Sequence, residues 1–290
     1  MPINLRKPDK SSLPKRMNKE RTIASPVVLE GIGIHSGKYN KVVLYPSNPN
    51  SGIRIGMNDV PQPTLENVLP ARVIGLERRT GVYIDGACIQ TVEHLAAAFA
   101  YLGLNNLDIV MYEGNEIPAY DGSAWAIIRA ILKAGVIEQG KALRNSSAAG
   151  HATERFGESL YEVEPYTCFR LDVTLDLLGQ SYSSFFQCGN SKRFSRIMHS
   201  RPFILNGDLG ALHSQGIGLG ISESNCVFVN SEARFLDPDI LQEILCHKML
   251  DFIGDLYLAM LTLPCGNFRI RNPHHKYNTK FVCAITRTFV

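Results

Sequence analysis

The sequence predicts an α+β protein made of two similar layered domains, each a sheet packed against helices. Three observations carry this. The 290 residues amount to two domains of ordinary size. In each half, strand-like alternation precedes helical periodicity, an order that disfavours a parallel βαβ sheet. Between the halves, Glu138 to Glu154 is small, polar and weakly patterned, as an interdomain connection is. Domains are therefore expected at 21–137 and 155–290, joined by 138–154 and preceded by a basic tail over 1–20.

Residues 1–21 hold seven basic and two acidic side chains, a net +5; the whole chain is at +3, which leaves residues 22–290 at −2. With three prolines and few apolar residues, the tail is expected to be disordered. It lacks the apolar centre of a secretory signal. Asp9 and Glu20 count against an organelle-targeting peptide without excluding one. The near-neutral remainder argues against a nucleic-acid-binding face. No run of about 18 uncharged apolar residues is present to span a membrane. Seven cysteines without a CxxC pair point to reduced thiols in the cytoplasm, and away from a thiolate zinc site.

Arg21 to Tyr45 reads as a β-hairpin in which TIASPVVL and NKVVLYP flank a turn-rich GIGIHSG. Gly31, Gly33 and Gly37 are spaced GxGxxxG, which is not the dinucleotide fingerprint. They read as turn glycines, with His35 among them as a candidate binding residue. SGIRIGM is a further strand, and 58–70, rich in Pro and Asn, is loop. Thr91 to Leu102 is expected to be helical, with Thr91 as N-cap and Gly103 as its stop. A strand from Leu107 to Tyr112 and a helix from Ala124 to Ala134 complete the first half. In the second half LYEVEP, FRLDVTLDL and SYSSFFQ are strands. A Gly-rich region follows, then a long helix from about Pro238 to Leu263.

Chemistry concentrates in three segments. In HKMLDFIGD, His247, Asp251 and Asp255 fall at i, i+4 and i+8, one face of an otherwise apolar helix. Burying such a stripe is costly unless something satisfies it. A metal bound by His247 and Asp251, with Asp255 orienting a partner, would do so; a solvated face with a His–Asp contact is the plainer alternative. In TVEHL, Glu93 and His94 open the earlier helix. His94 would be the third protein ligand of a zinc site whose fourth position is open to water. Zinc lowers the pKa of such a water to about 7, and Glu93 would take its proton as general base. The alternative there is a dipole-favoured Glu beside a core histidine. Finally, NPHHKYN places paired histidines after a turn. One could serve as general acid, although paired loop histidines are commonly surface residues. His151, His199 and His213 have no partner pattern and read as structural or surface residues.

Taken in order, TVEHL, EIPAYDGSA (Glu116 to Ala124), HKMLDFIGD and a late histidine followed by Asn278 resemble the LpxC family. Its members are the UDP-3-O-acyl-N-acetylglucosamine deacetylases of lipid A biosynthesis. GIGIHSGK is similar to that family's N-terminal hairpin, and the match runs from about residue 20 to 285. The resemblance implies a zinc-dependent amidohydrolase in which His94, His247 and Asp251 bind Zn2+ and Glu93 is the general base. It makes His275 the acid that protonates the leaving amine, with Asp255 stabilising its imidazolium. Lys248 would contact the anionic part of a UDP-linked acyl amino sugar. An active site between the two domains and a monomeric state are also implied. A strand–helix–strand insert within about Phe203 to Val229 would form an apolar passage for the acyl chain, with Phe203 at the substrate.

Three positions depart from the family pattern. Pro202 stands where the family has a threonine thought to help hold the oxyanion, and proline offers neither hydroxyl nor N–H. His274 replaces the glycine before the late histidine, leaving open which imidazole acts. Gly220-Ile221-Ser222-Glu223-Ser224 stands in place of a Gly-Gly-Ser segment followed by an acidic residue, which puts a nucleotide contact there in question. Two other readings therefore stay open: an impaired paralogue that still binds zinc and a nucleotide sugar, and a zinc amidohydrolase for another N-acylated substrate. Retention of Glu93, Asp255 and His275, which binding alone does not require, favours an active enzyme.

Overall fold

The computed structural model describes residues 19–58, 65–84, 86–143, 146–232 and 236–289. The basic tail expected over 1–20 lies, apart from its last two residues, outside the described residues. The first half contains β1 (Lys19–Ile23), β2 (Val27–Ile32), β3 (Tyr39–Pro46), β4 (Ile53–Met57), β5 (Glu66–Asn67), β6 (Val73–Leu76), β7 (Arg79–Ile84) and β8 (Ala87–Gln90). Helix α1 (Glu93–Leu102), β9 (Leu107–Glu113), α2 (Trp125–Ala134) and β10 (Val136–Ala142) follow. The second half runs through β11 (Ala152–Phe156), β12 (Ser159–Glu164), β13 (Phe169–Leu177), β14 (Gln180–Gln187) and α3 (Ser191–Met198). It continues with β15 (Phe203–Leu205), α4 (Asp208–Ser214), β16 (Val227–Val229), α5 (Pro238–Met260), β17 (Gly266–Arg271) and α6 (His275–Ile285).

One topology is used twice. The first five-stranded sheet has the order β2-β3-β9-β4-β5 and the second β11-β12-β17-β13-β14. In each, the third and fourth strands in that order are parallel, and the other neighbours are antiparallel. In each, a long helix lies on the connection between the two parallel strands, α1 in the first half and α5 in the second. A second helix follows the returning strand, α2 after β9 and α6 after β17. Alternate residues of β12 and β13 are buried, the pattern of a sheet with one face on the core. A single apolar core joins both halves, running from Leu29, Leu44 and Ile109 through Phe99 to Leu250 and Phe268.

Helices α1 and α5 meet at the centre, and small side chains explain how closely. Ala96, Ala97, Ala98 and Ala100 of α1 are buried. Gly254 of α5 lies directly on the Glu93 carbonyl oxygen, which any Cβ at 254 would overlap. Helix α5 is buried almost all round from Ile244 to Leu258; it starts at Pro238, where the Asp237 carboxylate accepts from the backbone N–H groups of Asp239 and Ile240.

Several sequence expectations need correction. Only β2 and β3 form the hairpin read over Arg21 to Tyr45, because the chain turns before Pro26 and β1 pairs instead with β10. Thr91 is not the cap of α1. Its backbone is left-handed at φ 59°, its hydroxyl donates to Glu116, and Val92 precedes the helix. Helix α5 stops at Met260 rather than Leu263, with Leu261 left-handed behind it. The late histidine pair is not on a loop, since His275 opens α6. The β6-β7-β8 meander, β10, β11, α3 and β17 had no sequence signal strong enough to be read.

The segment from Phe203 to Val229 folds as strand, helix and strand, with β15 and β16 parallel and a small core of Ile204, Leu212, Ile217 and Cys226. Its turn docks on the first half. Leu219 N–H donates to His35 O at 3.1 Å and Gly220 N–H to Ile34 O at 3.0 Å. A Cβ on Gly220 would overlap Gly33 O, and one on Gly37 would crowd Leu219, so each turn needs a glycine for this contact.

Candidate active site

The two helices that meet at the core also deliver the polar groups. The first turn of α1 supplies Glu93 and His94, the middle of α5 supplies His247, Asp251 and Asp255, and the start of α6 supplies His275. All three elements converge on one cavity of about 280 Å3. Residues from both halves are needed to complete it.

His94 Nε2 lies 3.6 Å and His247 Nε2 3.4 Å from Asp251 Oδ1. The two imidazoles stand at 65°, with ring centroids 5.1 Å apart. Asp251 Oδ1 is buried and has no hydrogen-bond partner among the described residues. Leaving such an acceptor unpaired is expensive, and two ring nitrogens aimed at one orphaned carboxylate oxygen are what a shared cation resolves. Burial pushes His247 down to about 3, so its ring is neutral, the form that coordinates a metal. Burial also opposes the charge on Asp251, but the positive charges of Lys248 and His275 beside it overcome that and hold the carboxyl well below its usual range. The ligand atoms of His94, His247 and Asp251 lie within 4.8 Å of one another, and this set fits a divalent metal.

Glu93, Asp251 and His275 form a second close group. It suits a metal less well, because Glu93 and His275 are already engaged. Glu93 Oε2 accepts from Thr80 N–H at 3.0 Å, and His275 Nδ1 lies 3.1 Å from the Thr80 hydroxyl. Burial alone would lower His275; Asp251 and Asp255 outweigh it and raise the imidazole to about 9. With no cation on Asp251 the ring therefore favours its protonated form. Burial raises Glu93, whose carboxylate is therefore a stronger base than an exposed one. Asp255 accepts from Thr80 Oγ1 at 2.6 Å and from Asn278 Nδ2 at 2.8 Å, and lies 3.5 Å from His275 Nδ1.

The remaining predicted residues lie around this centre. Lys248 Nζ donates to Asp251 Oδ2 at 3.1 Å and sits 5.7 Å over the Phe203 ring. His35 lines the cavity with a buried Nδ1 that has no hydrogen-bond partner among the described residues, and burial lowers its ring to about 3. Between the two late histidines the geometry chooses His275. The His274 side chain caps α6 by accepting from Lys276 N–H, and its backbone, at φ −141°, needs no glycine. Pro202 lines the cavity beside Gly122 and Ser123. The turn at Gly220–Ser224 is closed on Asn225, whose side chain joins Ser222 N–H to Gly220 O.

Three residues escaped the sequence reading. Thr80 contacts Glu93, Asp255 and His275. Arg78 lines the cavity and pairs with Asp208 of α4 at 3.0 Å, linking the β6–β7 turn to the insert. Buried Glu116 accepts from the backbone N–H groups of His35 and Ser36, each at 2.8 Å, and so holds the His35 turn. The motif EIPAYDGSA contained Glu116, but no local pattern pointed to Thr80 or Arg78.

Two facing α+β halves with a site able to hold a metal, beside a buried carboxylate and an imidazole of raised basicity, suit a hydrolytic enzyme. The chain belongs to the LpxC family, described as UDP-3-O-acyl N-acetylglycosamine deacetylase, whose model matches residues 20–287. Among its relatives is a UDP-3-O-acyl-N-acetylglucosamine deacetylase of Haemophilus influenzae (strain 86-028NP), 34% identical over 278 residues, covering 93% of this chain and 90% of the relative. Proteins of the same name from Histophilus somni (strain 129Pt) and Pasteurella multocida (strain Pm70) are each 33% identical, with the same coverage. No helix among the described residues is long and apolar enough to cross a membrane.

Proposed function

We propose that the protein is a zinc-dependent UDP-3-O-acyl-N-acetylglucosamine deacetylase of lipid A biosynthesis, acting as a cytoplasmic monomer. The observation that carries the chemistry is the convergence of His94 and His247 on the orphaned Oδ1 of Asp251. Zinc held by these three residues would supply Lewis acidity, polarising the acetyl carbonyl and acidifying the attacking water. Glu93, anchored by Thr80 N–H and strengthened as a base by burial, takes the proton of that water. His275 presents Nε2 3.6 Å from Asp251 Oδ2, at the metal-binding group, and from there protonates the departing amine. Lys248 binds the anionic nucleotide portion. The apolar side of the cavity, including Phe203, Ile204, Leu212 and Ile221, takes the acyl chain, and His35 borders the sugar. The shared name of the relatives supports the substrate.

The test is deacetylation of the UDP-linked acyl-glucosamine by purified, zinc-loaded protein, beside Glu93→Ala and a chelator control. Turnover lost in both controls is expected. No turnover by folded, zinc-replete protein overturns the reading. Zinc stoichiometry left unchanged by His247→Ala overturns the ligand set.

A further inference from the structure

Thr80, on β7, is fully buried, and its bonding order can be worked out from proton counts. Its hydroxyl lies 2.6 Å from Asp255 Oδ1 and 3.1 Å from His275 Nδ1. An ionised carboxylate only accepts, so the single hydroxyl proton goes to Asp255. The oxygen is then left with lone pairs alone toward His275, and Nδ1 must carry a proton to pair with it. The direct route from Asp255 to His275 is longer, 3.5 Å, and uses an oxygen that already accepts from Asn278.

We propose that the Thr80 hydroxyl is the positioning group that relays Asp255 to His275, fixing a proton on Nδ1 and leaving Nε2 as the position that gives up its proton. The chain of contacts is linear: carboxylate, hydroxyl, imidazole, with Nε2 at the far end beside Asp251. The hydroxyl keeps the ring in one orientation through the proton transfer, because its acceptor role does not change when Nε2 loses its proton. The backbone N–H of the same residue holds Glu93, so one strand position fixes both the base and the acid. A side-chain substitution leaves that N–H in place and perturbs the acid alone. The catalytic consequence rests on the deacetylase reading, whereas the bonding of His275 is a property of the protein itself.

Zinc-loaded wild type, Thr80→Ser and Thr80→Val are compared by steady-state deacetylation and by 15N NMR of the histidine imidazoles at one pH, the His275 signals assigned by their loss in His275→Gln. Thr80→Val is expected to lower kcat about 10- to 100-fold with KM and zinc content unchanged, and to lose the hydrogen-bonded Nδ1–H signal of His275. Thr80→Ser, which keeps the hydroxyl, retains both. Wild-type kcat together with an unchanged His275 spectrum in Thr80→Val overturns the relay. Should Thr80→Val fail to fold, Thr80→Ala is read by the same two measurements. If no form, wild type included, deacetylates the substrate, the functional reading falls and the spectra decide the relay: a change in Thr80→Val that Thr80→Ser lacks supports it, and identical spectra overturn it.

Discussion

The Glu93 carboxylate is held by the Thr80 N–H, and in the proposed mechanism that separates its role from those of His94 and His247. Replacing it by Gln keeps the shape while removing the base, so Glu93→Gln should lower kcat about 10²- to 10⁴-fold with one zinc still bound, as read by kinetics beside metal analysis. Loss of zinc along with activity would place Glu93 among the ligands instead. Pro202 makes the opposite kind of prediction. It borders the cavity without a donor to offer, and one oxyanion donor is worth about 10²-fold or more in kcat elsewhere; Pro202→Thr should therefore raise kcat. An unchanged or lower kcat would show that another group already holds the oxyanion. At this scale the sequence was legible wherever chemistry sat in a short motif. Glu93 and His94 are adjacent, His247 and Asp251 one helical turn apart, and the structure brings both pairs together. Thr80 was not legible, because its three partners lie 13, 175 and 195 residues away in the chain.

Among the elements, the crossing of α1 and α5 sets the spacing of the metal-binding group. Gly254 permits it by leaving room for the Glu93 carbonyl. Gly254→Ala should force the helices apart, at about 1–3 kcal/mol for overpacking, and displace His94 from His247. A lower melting temperature and weaker zinc affinity are expected together; a full-strength zinc site in Gly254→Ala would show that the crossing does not set the ligand spacing. Elements with alternating burial, β12 and β13 among them, were readable, as was α5 from its long apolar run. Those that depend on partners were not. Helix α6 hides its start because the buried face of its first turns is polar, with His275, Asn278 and Thr279 inward. β10 is largely exposed and β11 has no buried residue, so neither shows the alternation that marks a half-buried strand.

Across the molecule, the candidate metal group draws on both halves, His94 from one and His247 and Asp251 from the other. A ligand that binds only the folded state stabilises it by about 2.7 kcal/mol at a hundred times its dissociation constant. For a chain of this size that corresponds to roughly 4–5 °C. Calorimetry with and without chelator should show such a gap, and His94→Ala should abolish it; a gap that survives His94→Ala would mean the metal is held elsewhere. The layered fold class was legible from the order of patterns along the chain. The matching strand orders of the two sheets were not, because pairing between distant strands leaves no mark on local sequence.

That repeated topology has a consequence for descent. Helices α1 and α5 occupy equivalent places, yet one gives the proposed base and one proposed ligand from its first turn, and the other two proposed ligands from its middle. Two identical copies of either half could not assemble this constellation, since each would offer only its own set twice. If the protein arose by duplication, the present site is younger than the duplication. Independent change in the two halves is what such an asymmetric site requires.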